Sequence, residues 1–155
     1  MQNLNKLNSD TQMMTKRFLP FCAIVASVIV GCGDTAKTES ENNPLLKAFD
    51  TPFNVPPFDL IKDEHFRPAY AEALKRHNLE IDSIVNNNEE PSFQNTIVAL
   101  ENAGSLLTTV ATVFGNLNSA NTNDSIQAIA KDMAPVLSAH NDEIRLNAKL
   151  FDRVK

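Results

Sequence analysis

Tryptophan is absent from this chain, tyrosine occurs once, and glycine appears only four times in 155 residues, at 31, 33, 104 and 115. β sandwiches and barrels draw on aromatic strand positions and many tight turns, so this scarcity points to an all-α protein. So few glycines also exclude a Gly-rich phosphate loop, and no serine stands in a G-x-S-x-G setting. Basic residues are short as well: 14 Lys and Arg against 19 Asp and Glu give a net charge of -5, which argues against nucleic acid as a partner. The imbalance is uneven, with +2 over residues 1–31 and -7 over residues 32–155. Hydrophobic residues at 43% and charged residues at 21% are ordinary values for a globular domain of this length.

No H-E-x-x-H motif is present, and none of His65, His77 and His140 is four residues from another, the spacing that puts two zinc ligands on one helix face. His77 and His140 fall on apolar stripes and read as core or boundary histidines. His65 follows Asp63-Glu64 at a helix start, where such pairs usually serve capping. Asp142-Glu143 lies close to His140, but positions two and three apart on a helix only partly converge. Glu89-Glu90 reads as a solvated acidic turn. The residues alone assemble no complete catalytic constellation.

The front of the chain carries an address instead. Met13-Met14-Thr15-Lys16-Arg17 precedes an apolar run from Phe18 to Val30, interrupted by Pro20 and Ser27. Thirteen residues at about 1.5 Å rise cover about 20 Å, short of the ~30 Å hydrocarbon core, so a cleaved signal is expected over residues 1–31, with translation starting at Met13 or Met14. The run ends Ile29-Val30-Gly31-Cys32, which resembles a bacterial lipobox; Cys32 would be acylated and become the new N-terminus. Cys22 would leave with the signal, so Cys32 would have no disulfide partner in the chain. Residues 32–43 are polar and read as a flexible tether, giving an exported lipoprotein anchored at the bacterial cell envelope.

Residues 44–58 hold four prolines among Phe49, Phe53, Val55 and Phe58, and read as an extended arm that needs a surface to lie on. Residues 59–155 read as a helical layer. Phe66, Tyr70, Leu74, His77, Ile81 and Ile84 form a first stripe. Ser92 caps a second helix of about 25 residues carrying Phe93, Ile97, Leu100, Gly104, Leu107, Val110, Phe114 and Leu117. A third, capped by Thr122 or Asn123, carries Ile126, Ala130, Met133, Leu137, His140, Ile144, Phe151 and Val154, with a kink or split expected at Pro135. Short turns between long stripes predict long antiparallel helical hairpins. The last stripe is still running at Lys155, so the chain is expected to be the front of something larger.

Four stretches together carry a family likeness: residues 49–69 (FDTPFNVPPFDLIKDEHFRPA), 90–101 (EPSFQNTIVALE), 116–124 (NLNSANTND) and 134–154 (APVLSAHNDEIRLNAKLFDRV). Their order and spacing resemble the N-terminal region of the zinc peptidases that include thimet oligopeptidase, oligopeptidase A and bacterial peptidyl-dipeptidase. The resemblance covers about residues 44–155. It implies a two-lobed helical protein several times longer, whose channel admits short peptides and whose zinc sits on an H-E-x-x-H helix in the C-terminal half. No position here corresponds to a zinc ligand or general base. Together with the lipobox-like sequence at Cys32, the resemblance implies a non-catalytic segment of a lipid-anchored zinc metallopeptidase, inactive alone, with its own C-terminal remainder as partner. Phe53, Phe58, Ile144 and Phe151 would then face water in the isolated segment. The competing expectations are a complete small lipoprotein whose helical layer binds a peptide or partner, and a structural envelope lipoprotein, which leaves the motifs unexplained.

Overall fold

Asn43 begins the folded body by closing a turn with one end of its side chain and reaching the next element with the other. Its Oδ1 accepts the Leu45 N–H at 3.0 Å, and its Nδ2 donates to the His65 carbonyl at 2.8 Å. The computed structural model describes residues 42–155; the lipobox residues Ile29, Val30, Gly31 and Cys32, and the signal region before them, lie outside the described residues.

Three short 3-10 turns come first, Pro44–Leu46, Pro52–Asn54 and Asp63–His65. Five α-helices follow: α1 (Phe66–Val85), α2 (Ala99–Asn102), α3 (Ser105–Ala120), α4 (Asp124–Arg145) and α5 (Ala148–Val154), with a π-helical turn at Phe93–Val98 leading into α2. No strand occurs among the described residues, so the fold is all-α.

α1 packs most extensively on α3, and the contact explains the residue sizes at their seam. Ala69 and Ala73 are small enough for α3 to come close, and Phe66 and Tyr70 fill the space beside them. The Phe114 ring meets both aromatics edge-on, with centroids 5.0 Å from Phe66 and 5.7 Å from Tyr70. Such pairs add about 0.5–1.5 kcal/mol each beyond their buried area. Ile126 and Ile129 of α4, Val110 and Val113 of α3, and Leu45 from the arm complete the core.

The arm of residues 44–58 is less extended than its prolines suggest. Two of its segments curl into 3-10 turns, and Leu45 is 1% exposed. Beyond Phe49, which packs on the core's edge, the apolar side chains turn to water: Phe53 is 97% exposed, Val55 and Phe58 nearly half. Phe53 and Asn54 also hold positive φ, 61° and 55°, an unfavourable conformation for a phenylalanine.

The second helical run is not one continuous helix. Ser92 caps it as the sequence suggests, accepting the Asn95 N–H, but the run breaks at Ala103-Gly104, where Gly104 takes φ +74°. By length and apolar composition Phe93–Ala120 would suffice to cross a membrane. The left-handed residue opens its backbone ladder, however, which is unfavourable in lipid.

The third run is also divided differently from its prediction. Pro135 neither splits nor ends α4, which continues to Arg145. Both Pro135 and Lys131, whose carbonyl loses its helical partner, lie on the exposed side, so that carbonyl is not buried without a partner. The division comes instead at Leu146-Asn147, where Asn147 Oδ1 accepts the Leu150 N–H and starts α5. This resets the register: Leu150 is buried, while Phe151 and Val154, assigned to the buried stripe from the sequence, are exposed.

Candidate functional site

Two parts of the family-like stretches, residues 64–69 and 90–96, are junctions. In residues 64–69, His65 Nδ1 accepts the Lys62 N–H at 3.0 Å and closes the turn that starts α1. Phe66 and Ala69 are fully buried, and Pro68 occupies the first turn, where its missing amide is not needed. His65 is thus a capping residue, tied to the arm through Asn43.

In residues 90–96, Asn95 is the hub. Its Oδ1 accepts the Ser92 N–H at 2.8 Å, the Thr96 hydroxyl at 3.0 Å and Arg153 Nη2 at 3.2 Å; its Nδ2 donates to the Glu90 carbonyl at 3.0 Å. Arg153 Nη1 also donates to the Asn87 carbonyl at 2.7 Å. α5 is thereby fastened to the loop after α1 by one guanidinium, whose buried Nε has no partner among the described residues. Sequence reading passed over Arg153; the signal was its place within one of the four family-like stretches.

One pair of chemistry-bearing side chains is brought together. His140 Nε2 and His77 Nδ1 lie 3.0 Å apart, bridging α1 and α4. His140 is buried and His77 half-buried. Burial lowers the proton affinity of His77, the neighbouring His140 lowers it further, and Glu80 opposes both. The Glu80 carboxylate accepts the Gly104 N–H at 2.6 Å. Both histidines were legible as boundary residues on helical stripes, but their meeting, 63 positions apart, was not.

This arrangement does not fit a zinc site. The two ring nitrogens face each other, Glu80 is bonded to Gly104, and no group of three His, Cys, Asp or Glu residues able to hold a metal ion occurs among the described residues. Asp142 and Glu143, near His140 in sequence, do not complete one. Burial pushes the Tyr70 hydroxyl up to about 12.

An open groove of about 590 Å³ runs between the arm and α3, lined by Leu46, Phe49, Pro56, Leu106, Thr109 and Val113 among others. Lys47 is its one ionisable lining residue, and the rest of the lining is apolar or neutral, so the groove can seat an apolar group.

No family model matches the chain. It is 43% identical over 112 residues to a dipeptidyl carboxypeptidase of Salmonella typhimurium and 40% identical over 112 residues to the dipeptidyl carboxypeptidase of Escherichia coli. It is also 27% identical over 110 residues to oligopeptidase A of Salmonella typhimurium. These matches take in 71–72% of the chain and 16% of each relative, so the chain spans about one sixth of the length of the curated relatives it matches. Over that segment the chain is homologous to the N-terminal region of the oligopeptidase family that includes dipeptidyl carboxypeptidase and oligopeptidase A.

Proposed function

We propose that this chain is a non-catalytic segment of a lipid-anchored zinc metallopeptidase that hydrolyses short peptides. The observation that carries the proposal is the 43% identity over 112 residues to a dipeptidyl carboxypeptidase. The side chains of the family-like stretches cap, pack and tie helices, as residues of a supporting lobe would. In this reading zinc and the general base belong to other parts of the protein, and this segment supplies lobe structure. Exposed Phe53, Phe58 and Phe151 would be covered by the remainder of the same protein. Export and anchoring rest on the signal-like run and the Ile29-Val30-Gly31-Cys32 sequence, which would place the protein in the bacterial cell envelope.

A chimera tests the peptidase assignment. Residues 44–155 replace the matched segment of the Escherichia coli relative, and release of carboxy-terminal dipeptides from short peptides is followed. Activity within about tenfold of the parent is expected, a loss of no more than about 1.4 kcal/mol of transition-state stabilisation. A soluble, folded chimera without activity would overturn the assignment. This chain alone, supplied with zinc, should release nothing. Anchoring is read separately by radiolabelled palmitate incorporation in a bacterial host, which Cys32→Ser should abolish.

A further inference from the structure

We propose that His77 and His140 form a proton-limited clasp between α1 and α4: the helices are held at this point while the pair carries at most one added proton, and part when both rings are charged. The inference is independent of the peptidase reading.

The geometry sets the limit. At 3.0 Å, His140 Nε2 and His77 Nδ1 share one hydrogen bond, which needs one N–H and one lone pair. In the neutral pair one ring donates and the other accepts. A first added proton goes to the remote nitrogen of the donor ring, and the bond survives with charge assistance. A second must take the accepting lone pair. It sets two N–H groups and two positive rings against each other, with ring centroids only 4.9 Å apart.

The surroundings leave the rings little room to relieve that repulsion. A Cβ built on Gly104 would lie 2.7–2.9 Å from three atoms of the His77 ring, so the backbone of the α2–α3 break presses directly on the imidazole. Glu80 is the anion acting on His77, and it favours the first proton. α3 carries no ionisable residue over Ser105–Ala120, and Glu101 of α2 is exposed. Asp82 of α1 and Glu143 of α4 line a crevice between the two helices, and Asp142 of α4 is exposed. On the other side of His77 in sequence, Arg76 is bonded to Glu72 at 2.7 Å and Lys75 pairs with the same carboxylate.

The sign follows from burial. His77 binds a proton less readily in the folded chain than in the unfolded one. The unfolded state therefore takes up more protons as the pH falls below the ordinary histidine value of about 6.5. The clasp's contribution is fully present above that value and is lost as the pH falls through the folded one.

The test is an NMR titration of the three histidine rings in the full chain, with urea denaturation between pH 7.5 and 5. Coupled, two-step titration of His77 and His140 is expected. The folded-to-unfolded ratio should fall by up to about tenfold per pH unit within the window. His140→Gln and His77→Asn keep an amide near the bonded nitrogen but accept no proton, and each should flatten this dependence. Independent single-step titration of both rings overturns the clasp, as does a pH dependence that survives in both variants. If a variant fails to fold, titration of the unaltered chain decides.

Discussion

Replacing Gly104 with alanine places a methyl group where the structure has no space for it. Two costs add. The residue holds φ +74°, where an L side chain crowds its own carbonyl at about 1–2 kcal/mol. The new Cβ would also stand 2.7–2.9 Å from the His77 ring, which must shift and so lose its 3.0 Å bond to His140, a further loss of about 0.5–1.5 kcal/mol. The expected destabilisation is therefore about 2–3 kcal/mol, or about 10 °C in Tm for a domain of this size. Gly115 supplies the control: it lies inside α3, and a Cβ there meets nothing within 4 Å. Gly115→Ala should stabilise by about 0.5–1 kcal/mol through helix propensity alone. Urea denaturation of the full chain, followed by circular dichroism, measures both. Equal effects of the two substitutions, or a loss at Gly104 below about 0.5 kcal/mol, would falsify the account of the break as a close contact on the histidine pair.

Two further substitutions probe α4, the helix that carries His140. Pro135→Ala should stabilise the chain by about 1–3 kcal/mol, because α4 runs unbroken through Pro135 and the change restores an amide and a better helix former; an unchanged or lowered melting temperature would speak against a regular helix there. Asn123→Ala should cost about 1 kcal/mol, since its Oδ1 accepts the Ile126 N–H at 2.8 Å while its Nδ2 donates to Asp63 at 2.9 Å; Thr122→Ala, compared in the same denaturation series, should cost distinctly less, because its hydroxyl bonds only the Asn118 side chain.

Local rules carried most of the helical layer. The stripe from Phe66 to Ile84 lies where its steps of three and four placed it, with Phe66, Tyr70, Ile81 and Ile84 buried. Ser92 and Asn123 cap their runs through short-range bonds to neighbours three residues away. Such signals are contained in a window of a few residues, and periodic burial follows from the geometry of a helix on any partner. Homology to the oligopeptidases was equally present in the sequence, carried by the four stretches between residues 49 and 154.

What the tertiary structure decided concerns backbone breaks and distant meetings. Gly104 counted as one more small residue on a stripe until the His77 ring occupied the space above it. Pro135 predicts a kink or a split, yet α4 continues through it, with Pro135 and Lys131 both on the exposed side. Leu150 replaced Phe151 in the core because the Asn147 cap rotated the last helix relative to the one before it. The bond between His77 and His140, and the grip of Arg153 on Asn95, join residues about sixty positions apart. Periodicity assigns a side chain to a face, but which face it meets depends on how the helices pack, and that is set by the summed burial of the whole core rather than by any one segment.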